Sequence, residues 1–63
     1  MRELILEGVR YVPFRVRFHL TDGRRRSWRR WAPALQYATE STFRELDANG
    51  INIRPQSLRV EQE

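Results

Sequence analysis

The chain has 63 residues, a formal net charge of +4 and no cysteine. This length predicts one small domain over residues 1–63, and the lack of cysteine excludes disulfides and thiolate metal sites. His19 is the only histidine, which excludes a histidine cluster for a metal, and we expect no cofactor. No apolar run approaches the ~18 residues of a membrane span, and the N-terminus lacks the apolar core of a signal peptide. We therefore expect a cytoplasmic protein that does not contact a membrane.

The charge is distributed unevenly along the chain. Residues 1–7 sum to −1, residues 8–30 carry eight arginines against one aspartate for +7, and residues 31–63 carry three arginines against five acids for −2. One strongly basic segment in an otherwise mildly acidic chain indicates a directed contact with an anionic partner.

The first 13 residues predict an extended segment. The stretch LILEGVRY, residues 4–11, fits either one strand or a small hairpin that turns at Glu7-Gly8. Pro13 has no amide hydrogen, so a continuous strand through it must lie at a sheet edge or contain a bulge.

A second hairpin follows. The stretch FRVRFHL, residues 14–20, alternates strictly between apolar and polar residues, which is typical of a half-buried strand. Asp22-Gly23 favours a tight turn, and the segment from Arg24 to about Trp31 is predicted as the returning strand.

The register of this hairpin has two solutions, because Trp28 and Trp31 are three residues apart and a regular strand cannot point both to one side. A two-residue loop pairs Val16 with Arg29 and exposes Trp28. A three-residue loop with a bulge at Gly23 pairs Val16 with Trp28. We prefer the two-residue loop because Asp-Gly favours a type I′ turn, although Arg29 must then escape the core by snorkelling.

The rest of the chain predicts one helix and one strand. A proline at 33 suits the first helical turn, and an apolar stripe continues to a C-cap at Asn49-Gly50, which gives a helix at about residues 33–48. Alternation near the end predicts a final strand at about 57–61, preceded by an irregular edge piece. The fold class is therefore α+β, a small antiparallel three- to four-stranded sheet packed on one helix, in the order β-β-β-α-β. The predicted stripe consists of Leu35, Ala38, Thr39, Thr42, Phe43 and Leu46.

The sheet face away from the helix is the predicted functional surface, because both registers leave four arginines and His19 on it. Arginine forks fit phosphate oxygens, a two-stranded ribbon fits the DNA major groove, and an exposed tryptophan can stack on a base. The alternative is a solvated face that acids of the first or last strand neutralise. The preferred register predicts Arg15, Arg17, Arg26 and Arg30 at the ligand, Arg24 and Arg25 near the turn and Trp28 as a stacking residue; the other register shows Arg15, Arg17, Arg25 and Arg29.

No catalytic constellation is visible. The serines stand in no nucleophile motif, and the single glycines form no phosphate-cradling loop. We therefore expect a DNA- or RNA-binding accessory protein and not an enzyme.

Short motifs resemble a known class of DNA-binding domain. Residues 8–10, 14–17 and 26–28, followed by a helix, are similar to the three-strand-plus-helix domains of plant ethylene-response factors and of the arm-site-binding N-terminal domains of phage and transposon integrases. The likeness covers about residues 8–48. It implies that Arg and Trp side chains of the sheet enter the major groove.

The competing hypothesis is a protein-interaction module. Its basic face would meet an acidic partner surface, with the exposed aromatic Tyr37 or a tryptophan as the anchor. The size and element order are also similar to those of small phage proteins that inhibit host enzymes. A chain this small also gains from burying apolar surface in a homodimer.

Overall fold

The computed structural model describes residues 3–63, which form a four-stranded antiparallel sheet and one helix in the order β-β-β-α-β. This confirms the predicted α+β class. β2 is the central strand and pairs with β1 near its start and with both β3 and β4 further on. The elements are β1 (Leu4–Leu6), β2 (Val9–His19), β3 (Arg25–Ala32), α1 (Leu35–Ala48), a 3₁₀ turn (Pro55–Ser57) and β4 (Arg59–Gln62).

β1 and β2 form the small hairpin that was one of the two interpretations of the first residues. Leu6 pairs with Val9 across a two-residue loop. Glu7 has φ of 51° and Gly8 has φ of 78°, as the two central positions of a type I′ turn require. β2 then runs through Pro13 without interruption. Pro13 lies in the gap between the residues that pair with β1 and those that pair with β4, so on this side it has the edge position that its missing amide hydrogen requires.

The β2–β3 hairpin has the three-residue loop, so the preferred register is wrong. Val16 pairs with Trp28, and the amide of Gly23 donates to the carbonyl of Leu20 at 2.9 Å. Gly23 has φ of 92° but Asp22 does not have a positive φ, which excludes a type I′ turn. Burial decides the register: it places Trp28 edge-on against Phe18, with ring centroids 5.1 Å apart, and it keeps Arg29 out of the core. Trp28 is partly buried, and each Å² of its apolar surface removed from water contributes about 25 cal/mol, which favours this register.

α1 covers the even-numbered side of β2. Its buried residues are Ala38, Thr42 and Leu46, a narrower stripe than predicted, while Leu35 and Phe43 are exposed. The helix begins two residues later than expected because Ala34 is the N-cap. The core beneath it contains Phe14, Val16, Phe18 and Ala32, with Trp28, Leu58 and Val60 packed around them.

The C-terminus of α1 is closed as predicted. Gly50 has φ of 65°, and its amide donates to Asp47 while that of Ile51 donates to Leu46, which is a Schellman motif. The chain then forms an isolated bridge between Ile53 and Leu20 before the 3₁₀ turn and β4.

The described chain is elongated, with extents of 40 × 23 × 14 Å. The β1–β2 hairpin forms one end and leaves Leu4, Ile5, Leu6 and Val9 exposed. Within residues 3–63, no helix has the length and apolar character that crossing a membrane requires.

Candidate nucleic-acid interface

The sheet face opposite α1 is built from residues that oppose one another across the strands, because directly paired residues share a face. On β2 these are Arg15, Arg17 and His19. Their partners on β3 are Arg29, Ser27 and Arg25. β4 contributes Glu61 opposite Arg15 and Arg59 opposite Arg17. We call this surface the open face; it carries five arginines and one histidine, as well as acidic residues from the end of the chain.

In the middle of the open face, the carboxylate of Glu63 neutralises arginine charge. Glu63 accepts two hydrogen bonds from Arg29, at 2.7 and 2.8 Å, and lies 4.0 Å from Arg15. These bonds raise the pKa of Arg29 above its usual value, mainly through the hydrogen bond and then through the charge of Glu63. The repulsion expected between the directly opposed Arg15 and Arg29 is therefore offset by one carboxylate, as the solvated-face alternative proposed.

The end of the open face near the Asp22-Gly23 turn is different. A concavity of about 400 Å³ lies here, and we call it the turn-end cleft. Among the ion pairs of residues 3–63, none involves Arg17, Arg25, Arg26 or Arg59. Four arginines that form no ion pair among these residues therefore line one depression, although the charge of Arg26 is one of the influences that lower the pKa of Asp22. The lining residues are Arg17, Phe18, His19, Arg25, Arg26, Ser27, Ser57 and Arg59.

Backbone contacts hold the floor of the turn-end cleft. The amide of His19 donates to Ser57 Oγ at 2.8 Å, and the carbonyl of His19 accepts from the amide of Arg54 at 2.9 Å. Ser57 Oγ in turn donates to the carbonyl of Arg54 at 2.6 Å. The Ser57 hydroxyl is thereby fixed as a structural link between β2 and the 3₁₀ turn.

Backbone carbonyls of the 3₁₀ turn and of the residue that follows it position the side chain of Arg59. Its Nη1 donates to the carbonyls of Gln56 and Leu58, each at 2.9 Å. A guanidinium has five N–H donors, so Nε and Nη2 keep donors that no acceptor in the described part of the chain takes. Arg59 also lies directly opposite Arg17, and such a like-charge pair destabilises by a few tenths to about 1 kcal/mol. A bound anion would remove this cost.

Arg24 lies at the turn as predicted, but it is paired. Its backbone amide donates to Asp22 Oδ1 at 3.0 Å and its Nε donates to Asp22 Oδ2 at 2.8 Å. The backbone hydrogen bond is the main reason why the pKa of Asp22 is lowered. Arg24 is thus less available to a ligand than Arg25, which has no carboxylate partner in the described chain.

Three residues predicted on the open face lie elsewhere, because the loop is one residue longer than the preferred register required. Trp28 faces α1 and packs on Phe18. Arg30 also lies on the helix side, with Nη2 2.6 Å from Glu45 Oε1 and its guanidinium 5.8 Å from the Trp28 ring. Arg26 pairs with Phe18 on the helix side, yet its exposed side chain at the end of β3 still lines the turn-end cleft.

Arg59 is a cleft residue that the sequence analysis missed, and Arg29 was assigned to the open face only in the register that we did not prefer. The signal for Arg59 was present in the last strand. Leu58 and Val60 are apolar and alternate with Arg59, so a strand that buries them must direct Arg59 away from the core.

Tyr37 is half-exposed on α1. It lines a second, shallower depression of about 260 Å³ together with Trp31, Pro33, Ser41 and Arg44. It therefore lies between Ser41 and Arg44 of the helix and the residues just before the helix.

Within residues 3–63, no group of three or more His, Asp or Glu residues is arranged to hold a metal ion. No family model, curated protein or solved structure matches this chain.

Proposed function

We propose that this protein binds nucleic acid by holding backbone phosphates in the turn-end cleft. The observation that carries the proposal is the cluster of Arg17, Arg25, Arg26 and Arg59 around one concavity without ion-pair partners among the described residues. Solvated arginines on an ordinary sheet surface need not converge. Here arginines from three strands line one concavity, and a bound anion would relieve the opposition of Arg17 and Arg59.

The contrast within the open face supports the same proposal. Arg15 and Arg29 form ion pairs with Glu63, whereas Arg17, Arg25, Arg26 and Arg59 form none among the described residues. Most of the unpaired positive charge of the open face thus lies at its turn end, where it favours an anionic ligand.

A binding titration tests this proposal. Fluorescence anisotropy with labelled single-stranded DNA, duplex DNA and RNA of equal length should show binding at low salt. If four phosphates are neutralised, log K should fall against log salt with a slope of about −3.6 on duplex DNA and about −2.8 on a single strand. The absence of binding to all three ligands at low salt would refute the proposal.

A matched pair of variants localises the contact. Arg17→Gln should reduce the magnitude of the salt slope by about 0.7–0.9. Arg44→Gln removes the same charge from α1, on the other side of the sheet, and should leave the slope unchanged. Equal effects of the two variants would show that the net charge of the domain, and not the turn-end cleft, attracts the ligand.

A second candidate function is contact with an acidic protein surface. Tyr37 favours it, since this aromatic side chain is 51% exposed beside a depression that also contains Arg44, and exposed aromatic and arginine residues anchor protein interfaces. A pull-down from the native host with nuclease treatment separates the candidates. A partner that survives nuclease and is lost in Tyr37→Ala supports the protein contact, whereas one that nuclease removes supports nucleic-acid binding.

A further inference from the structure

An apolar pocket lies beside the turn-end cleft on the helix side of the sheet. It has a volume of about 260 Å³ and is lined by Phe18, Leu20, Arg26, Trp28 and Ile51. Four of these five residues are apolar or aromatic, and Arg26 supplies the one charge. This composition suits a flat, partly polar ring that carries a negative charge nearby.

The apolar pocket and the turn-end cleft are continuous neighbours. Phe18 and Arg26 line both of them, so the two spaces adjoin at these side chains. β3 pairs only with β2 among the strands of residues 3–63, which leaves its outer edge open near Arg26. An extended ligand can therefore cross this edge from the open face to the helix side.

We propose that the apolar pocket holds one base of a single-stranded nucleic acid while the adjoining phosphates lie in the turn-end cleft. The inference rests on the proposed function, because the phosphates bring the strand to this edge. Arg26 gives the pocket the positive charge that the phosphate next to such a base requires. Bases of a duplex are stacked and paired and cannot enter without being flipped out, whereas those of a single strand are free to enter.

Comparison of two oligonucleotides that carry the same phosphate charge tests whether a base contributes to binding. A labelled oligo-dT and an abasic oligomer of the same length present the same phosphates. Base contacts of this kind increase affinity by about 5- to 150-fold, so oligo-dT should bind at least 5-fold more tightly. Equal affinity for the two oligomers would refute a base in the pocket and leave the proposed function intact. If neither oligomer binds, both the inference and the proposed function are refuted.

A pocket-filling variant provides the second test. Ile51 is 36% exposed at the pocket, so Ile51→Trp should occupy the space without disturbing the core. The variant should bind oligo-dT and the abasic oligomer equally, at the affinity of the wild type for the abasic oligomer. The control variant Ile5→Trp changes an exposed residue of β1, outside the pocket. It should keep the wild-type difference in affinity between oligo-dT and the abasic oligomer. A preserved difference in Ile51→Trp would overturn the inference, and circular dichroism establishes that both variants are folded.

Tryptophan emission gives an independent readout. In Trp31→Phe, Trp28 is the remaining tryptophan, and it lines the apolar pocket. Saturating oligo-dT should change its emission, and saturating abasic oligomer should leave it unchanged. The same spectral change with both ligands would show that phosphate binding alone perturbs Trp28, and would count against a base in the pocket.

Discussion

Arg30 and Arg25 lie on the same strand, but the observed register gives them different roles, and substitution of each by glutamine should separate those roles. Arg30 is only 20% exposed and holds an ion pair with Glu45, which is 45% exposed. Arg25 lies on the open face opposite His19 and has no ion-pair partner in the described chain. We expect Arg30→Gln to lower stability and Arg25→Gln to lower binding.

The magnitude for Arg30→Gln follows from its two contacts. A partly exposed ion pair contributes about 0.2–1 kcal/mol, and the guanidinium near the Trp28 ring about 0.5–1 kcal/mol. The freed Glu45 carboxylate is well hydrated and adds little. The loss is about 0.7–2 kcal/mol in the free energy of unfolding, which corresponds to a fall in Tm of about 3–16 °C for a domain of this size.

Arg25→Gln should show the opposite pattern. An exposed, unpaired side chain changes the free energy of unfolding by less than about 0.5 kcal/mol, while the loss of one phosphate contact should make the salt slope on single-stranded DNA shallower by about 0.7. Thermal melts by circular dichroism and salt titrations by anisotropy measure both quantities, with Arg44→Gln as the control for net charge. If Arg30→Gln reduces the slope and leaves Tm unchanged, the assignment of the two faces of β3 is wrong.

Three further results are expected. Glu7→Asn should raise the free energy of unfolding by about 0.5–1 kcal/mol, measured by urea denaturation. The reason is that Glu7 has φ of 51° and type I′ turns favour Asn-Gly. Val16→Ala should cost about 2–3 kcal/mol in the same assay, because Val16 is fully buried and two lost methyl groups leave a cavity. The hydrogen bond from the Arg24 amide holds the pKa of Asp22 below its usual 3.8, so the stability that ionised Asp22 provides is complete above that value and is lost as the pH falls through the folded-state pKa. Acid unfolding curves of wild type and Asp22→Asn should therefore converge at low pH, and a constant offset between them would contradict this assignment.

Local patterns in the sequence were sufficient for the elements of the fold. The alternation from Phe14 to Leu20 predicted β2, and Asn49-Gly50 predicted the end of α1, because each depends on residues that are neighbours in the chain. The Glu7-Gly8 turn also depends on neighbouring residues, and the sequence offered it as one of two interpretations of that segment.

The hairpin register could not be settled locally. The Asp22-Gly23 pair is compatible with either loop, and the choice depends on Trp28 packing against Phe18, a contact made across the sheet. The same long-range origin explains the candidate site. Arg59 lies beside Arg17 only because β4 pairs with β2. Arg29 is neutralised only because Glu63, 34 residues later in the chain, forms an ion pair with it.

The central strand β2 has a consequence for how this domain opens. Every other strand pairs with β2 and with no other strand among the described residues, so each ladder amide from Phe14 to Arg17 is released only when the strand that it bonds, β3 or β4, separates from β2. Either separation exposes the core around Val16, so amide protons of this segment should exchange much more slowly than those of β1, which is attached by three residues at one end and exchanges by local fraying. Hydrogen exchange should consequently divide the sheet into one cooperative unit and a single loose hairpin.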